Sequence, residues 1–177
     1  PESLQQLLWK ALSLAPSHGN SQPWRVLLAK SPEVRSRLEA SLSDGNKSWA
    51  PTAPLLIGMA VNPSHARAKN YGSDRALWAF DVGMAGGNLL AQATSLGLVA
   101  PPMSSFNEAA ARDAFGAPDE IRVLVLVAIG FPGSPESLPP DLQEKERAPQ
   151  DRLPIDSLVA VDTWQPVHSR SAREQRG

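Results

Sequence analysis

Ala15-Pro16-Ser17-His18-Gly19-Asn20-Ser21-Gln22-Pro23-Trp24-Arg25 sets hydroxyls, an imidazole, two amides and a glycine between two prolines and closes on an aromatic. Upstream of it, Leu4, Leu7, Leu8, Ala11, Leu12 and Ala15 recur at the spacing of a helix with one buried stripe. Ser3 is the expected N-cap, and Pro16 ends the run because the residue before proline avoids the helical region. Downstream, Val26–Ala29 reads as a short strand. A polar loop held between a helix end and a strand gathers donors and acceptors in one place, a surface suited to a polar heteroaromatic ring. The plainer alternative is a solvated turn with Trp24 as its core anchor.

Working outward, a second helix starts at Pro32 with Val34, Leu38 and Leu42 on one side, and Asp44-Gly45-Asn46 breaks it. Leu55–Val61 reads as a second strand, and the polar, basic stretch Asn62–Ser73 as a mobile loop. Ala76–Leu96 is the longest helix expected. Its apolar residues (Leu77, Phe80, Val82, Met84, Leu89, Leu90, Ala93 and Leu96) run nearly all the way round, which predicts burial on every side. In so small a domain, a partner subunit is expected to supply part of that burial. Gly83, Gly86 and Gly87 each cost about 1 kcal/mol relative to alanine inside a helix, and so point to close helix packing or close approach of a ligand. Gly97 closes the helix. A short helix at Glu108–Phe115 and a third strand at Ile121–Ile129 follow.

Residues 132–166 hold 7 of the chain's 17 prolines and read as an extended arm, in which only Leu153–Val161 looks ordered enough to pack. A basic tail covers 165–177. Strands and helices intermix with no internal repeat, so the expectation is one α+β domain over 1–177.

Composition narrows the chemistry. The chain has 177 residues, 42% of them apolar, and a formal net charge of −1, so bulk attraction to nucleic acid or acidic membranes is not expected. With no cysteine there is no disulfide, thiol nucleophile or cysteine-held metal. No apolar run approaches the ~20 residues of a membrane span, and no basic stretch leads into an apolar core at the front, so a soluble cytoplasmic protein is expected. His18, His65 and His168 lie far apart without metal-ligand spacing. There is no GxSxG elbow and no GxxxxGK[ST] loop, and the glycines at 83–87 lie inside a helix with no strand before them, so they are no dinucleotide fingerprint. Hydrolase and kinase chemistry have no visible machinery.

The run at 15–25 resembles the APSxxNxQPW signature of the FMN-dependent nitroreductase family, and it stands, as there, after an amphipathic helix and before a strand. The resemblance continues through Ala79-Phe80-Asp81-Val82-Gly83, Asn88-Leu89-Leu90 and Ala93-Thr94-Ser95-Leu96-Gly97-Leu98, similar to the family's long central helix with its Leu-Gly-Leu exit. Ala114-Phe115-Gly116, Val125–Gly130 and the segment Gln150–Val159 extend it to roughly residues 3–160. It implies a nitroreductase-like fold with a mostly antiparallel sheet flanked by helices, and a homodimer with FMN at the interface. By motif position, Ser17, His18, Asn20 and Gln22 would lie at the isoalloxazine or ribityl chain, Ser17 and His18 from the second subunit. Pro102, Met103, Ser104 and Ser105 would bring backbone N–H groups to the ring, and Arg152 would pair with the phosphate.

The family also keeps an R-x-S-x-R phosphate motif before its first helix. Here Ser169-Arg170-Ser171-Ala172-Arg173 stands in the tail, with Ser169 where the motif has its first arginine; either a circularly permuted arrangement brings Arg170, Ser171 and Arg173 to the same place, or this is an arginine-containing disordered tail and the front is truncated. The resemblance implies no catalytic acid or base: NAD(P)H reduces FMN, which reduces a nitroaromatic, quinone or similar small-molecule acceptor. The competing expectations are a flavin-binding or storage protein with little turnover, and dehydrogenation or dehalogenation on the same flavin. Trp49, Tyr71 and Trp78 are the aromatics expected nearest the substrate face, or else core residues.

Overall fold

The computed structural model describes residues 1–65 and 76–164. The chain divides into two compact units, Pro1–Leu138 and Pro139–Gly177. The first helix, α1 (Glu2–Ser13), takes Pro1 rather than Ser3 as its N-cap residue, because the Pro1 carbonyl already accepts the Gln5 N–H. Of the six positions expected in its stripe, Leu8, Leu12 and Ala15 are buried while Leu7 is 43% exposed. The arc facing the sheet is narrower than the apolar pattern suggests.

Strand β1 (Trp24–Leu28) leads to α2 (Pro32–Ala40), whose cap Ser31 accepts the Val34 N–H with its Oγ. The Asp44-Gly45-Asn46 break is itself one helical turn, α3 (Asp44–Lys47), closed by Lys47 N–H on the Ser43 carbonyl. Strand β2 (Leu55–Val61) follows, then α4 (Leu77–Ser95), β3 (Pro102–Met103), α5 (Glu108–Ala114) and β4 (Arg122–Ile129). The four strands form one antiparallel sheet in the order β1-β2-β4-β3.

The alternation of strand residues feeds two cores. Ile57, Met59, Val61, Val127 and Ile129 face α1 and α4 with Leu8, Leu12, Val82, Ala85 and Leu89. Leu56, Ala60, Val123, Leu126 and Ala128 face α2 and α5 with Leu38, Leu42 and Ala111. A bulge keeps both patterns in step. The register passes from Met59↔Val125 to Ala60↔Val123, which leaves Leu124 as the extra residue of β4. Gly130, just past β4, is required by packing, since a Cβ there would lie 2.7 Å from the Pro54 ring.

Helix α4 differs from its expectation. Within one chain it is buried on one face only, through Asp81, Val82, Ala85, Leu89 and Ala93, while Phe80 is 65% exposed. Gly83 and Gly87 pack against nothing: a Cβ at either would meet no atom within 4 Å. The helix ends in a Schellman motif, with Gly97 at φ +71, Leu98 N–H on the Ala93 carbonyl and Gly97 N–H on that of Thr94.

In the second unit the proline-rich stretch contains a two-turn helix, α6 (Pro140–Arg147), started by Pro140 with Asp141 in its first turn and Lys145 and Arg147 in its last. Within Leu153–Val161, Ile155, Leu158, Val159 and Val161 are each more than 60% exposed among the described residues.

Candidate functional site

The loop between α1 and β1 is held at its ends by apolar packing and bent in its middle. Ala15, Pro23 and Trp24 are buried. Between them, Gly19, Asn20 and Gln22 all take left-handed backbone, with φ of 57, 53 and 46. Such a turn costs about 1–2 kcal/mol for each non-glycine residue, so the loop's polar side chains serve partly to hold it. Ser17 Oγ accepts the Gln22 N–H at 2.9 Å, and Gln22 Nε2 donates to Asn20 Oδ1 at 3.1 Å. Arg25 Nη1 donates to the carbonyls of Gln22 and Trp24. Asn20 and Gln22 remain exposed, Ser17 and His18 half-buried.

From this turn the His18 backbone N–H reaches a distant element, donating to Asp81 Oδ1 on α4 at 3.1 Å. Asp81 is 2% exposed, and its Oδ2 has no hydrogen-bond partner among the described residues; nor has the buried Ser21 Oγ. The sequence reading passed over Asp81 except as a letter of a motif. Its signal was available, since it is the single charged residue between Leu77 and Ser95.

Pro102 and Met103 form the edge strand β3, paired to Val127 and Leu126. Pro102 is exposed and has no N–H to give. Met103 is buried in the α2/α5 core, so its side chain is committed there. Ser104 and Ser105 are exposed, and the Ser105 carbonyl accepts from Ser43 N–H and Asn46 Nδ2, which fixes this turn against α3. Any backbone donor at this edge therefore comes from a residue other than Pro102.

The structure gathers Ser17, His18, Asn20 and Gln22 in one turn and residues 102–105 in another. It does not bring the two groups together within one chain's sheet. The first leads into β1 and the second forms β3, at opposite edges, three strand spacings or about 14 Å apart. Beside Pro102 lies an apolar cavity of about 310 Å³, walled by Gly83, Gly86 and Gly87 of α4 and by Met59, Leu124 and Val125 of the sheet. The bulged Leu124 opens onto it. Trp78 and Trp49 are partly buried against the two cores.

Arg152 lies in the second unit, exposed, with Nη2 donating to Gln150 Oε1 at 2.8 Å. Arg170, Ser171, Arg173 and Tyr71 lie outside the described residues. No helix among the described residues is long and apolar enough to cross a membrane.

The sequence matches the profile of the nitroreductase family over residues 1–51 and 41–131. It is 32% identical over 176 residues to a Burkholderia lata protein named, by inference, as an NADH dehydrogenase/NAD(P)H nitroreductase, covering 91% of this chain and 86% of that one. A solved structure described as an oxidoreductase containing FMN superposes with a TM-score of 0.79 at 30% identity, over 93% of this chain and 82% of the other. The fold is also that of the NADPH:FMN oxidoreductase from Vibrio harveyi, solved with NAD+, with a TM-score of 0.75 at 19% identity over 98% and 74% of the two chains. With its four-stranded antiparallel sheet, its long glycine-bearing helix and its APSxxNxQPW-like loop, this chain belongs to the nitroreductase family.

Proposed function

We propose that the chain is an FMN-dependent NAD(P)H oxidoreductase acting on nitroaromatics, quinones or similar electron-poor acceptors, and that it works as a homodimer with the flavin between subunits. The observation that carries this reading is the separation of the two candidate binding turns to opposite edges of one sheet. A two-fold partner can set its 17–22 turn against the 102–105 edge of the first chain. The face available for such a partner is α4's exposed line of Phe80, Gly83, Gly87 and Ala91.

The residues present suit a flavin. The 17–22 turn offers donors and acceptors of the kind a pyrimidine ring and ribityl hydroxyls require, the buried Ser21 Oγ has no hydrogen-bond partner among the described residues, and the glycine-walled cavity is apolar. FMN held there would supply two-electron chemistry between NAD(P)H and the acceptor. The chain's own work is to bind and orient. Ser17, His18, Asn20 and Gln22 would hold the ring and ribityl chain, and backbone N–H groups of the 102–105 turn would serve the ring. Pro102 with the α4 glycines would exclude water; by residue type, Arg152, together with Arg170, Ser171 and Arg173 outside the described residues, suits a phosphate.

The visible absorption spectrum of the purified protein tests this, with any released ligand identified. A flavin spectrum and FMN equimolar with chain support the reading. A colourless protein that fails to take up added FMN overturns it. Steady-state NAD(P)H consumption with a nitro or quinone acceptor separates an oxidoreductase from a flavin store, which would bind FMN without turnover.

A further inference from the structure

Asp81 presents a physical problem that its helix does not solve. A carboxylate 2% exposed on an otherwise uncharged helix is costly unless donors surround it. It receives one donor, the His18 N–H, across 63 residues of chain. At the other end of that bond is the turn with Asn20 and Gln22 in left-handed backbone. Strain of this kind persists where the surroundings over-determine it. The bonds from Gln22 to Ser17 and Asn20, and from Asn20 N–H to the Ser17 carbonyl, travel with the turn. They give it a shape but cannot aim it. The Asp81–His18 bond ties that shape to a rigid 19-residue helix.

From this we infer that Asp81 is the positioning residue of the binding turn: through the His18 N–H it locks residues 17–22 to α4. Helix α4 thereby sets both where the turn's donors point and where the glycine-walled cavity lies. The inference rests on the flavin reading for what the turn binds, but not for the lock itself. Asp81 touches the turn's backbone, so its effect on a ligand passes through His18.

Two measurements separate the lock from the ligand. The first is amide hydrogen exchange at residues 18–22 in the protein without flavin, comparing the parent with Asp81→Leu and Asp81→Asn. Asparagine keeps a carbonyl acceptor for the His18 N–H; leucine keeps none. Exchange is expected to accelerate at least about tenfold in Asp81→Leu and to stay within about threefold of the parent in Asp81→Asn. Unchanged exchange in Asp81→Leu overturns the inference, whatever the protein does with flavin.

The second measurement is FMN titration. Asp81→Leu is expected to weaken binding by about tenfold or more, with most of it recovered in Asp81→Asn. A turn that loosens while FMN affinity holds overturns the positioning role and leaves the flavin reading standing. A parent protein that binds no FMN overturns the flavin reading and leaves the lock to be judged by exchange alone. Should Asp81→Leu fail to fold, His18→Pro removes the donating N–H, and His18→Ala keeps it. Ser17, at φ −145 and ψ 156, already has the extended backbone a following proline demands. Faster exchange at Asn20 and Gln22 in the proline variant but not the alanine variant supports the lock. Equal exchange in both overturns it.

Discussion

The two faces of the sheet are built to different standards. Against α2 and α5, the core is closed by Leu38, Leu42, Leu56, Ala111 and Leu126, all at 3% exposure or less. Its rim is laced by charge: Arg35 donates to the Pro51 and Ala53 carbonyls, Arg37 to that of Asp113, and Glu108 receives Arg122 and the Val123 N–H. Against α1 and α4, the core is as apolar but unfinished. It keeps a cavity, a glycine line facing open space, an exposed Phe80 and a buried carboxylate oxygen with no partner among the described residues. The open face is where the proposed flavin and partner chain would have room to bind.

The largest expected effect breaks the closed face. Leu56→Ala should lower unfolding free energy by about 2–5 kcal/mol in urea denaturation, because the site is fully buried and cannot collapse. Leu90→Ala, on the cavity wall, should cost less than half as much, since its side chain already borders empty volume. Equal losses would erase the contrast between the faces.

A smaller effect sharpens the reading of the open face. Gly83→Ala with Gly87→Ala adds methyl groups where a single chain has space, and each should raise helix stability by up to about 1 kcal/mol. If a partner helix packs on this line, sedimentation should show the dimer dissociation constant rising about tenfold, roughly 1.4 kcal/mol. Unchanged association would move the interface elsewhere.

The smallest effect concerns the rim. The Arg122 guanidinium, hydrogen-bonded to Glu108, holds that carboxyl below its ordinary value of 4.5. A carboxylate held low contributes stability that is present above its unfolded value and is lost as pH falls through the folded one. Glu108→Gln should therefore destabilise at neutral pH by less than about 1 kcal/mol, because the pair is largely solvent-screened. The gap between parent and variant should close below pH 4.5.

Local pattern made much of this legible. Leu55–Val61 is a strand over the residues expected, α4 lies within a residue of its expected ends, and the 15–25 loop was recognisable as the place where polar groups collect. Burial was harder to read. An apolar sequence around the whole of α4 says that the helix wants cover, not which chain supplies it, so one face is buried within the chain and Phe80 is not.

The amino-acid sequence by itself determined the elements, the family and the composition of the binding turn, because these rest on short-range periodicity, turn chemistry and residue type. Only the tertiary structure decided the strand order that parts the two binding turns, the bulge that opens Leu124 to the cavity, and the pairing of His18 with Asp81. Those are contacts between residues far apart in the chain. Their free energy depends on which surfaces meet, and no local run of side chains records that.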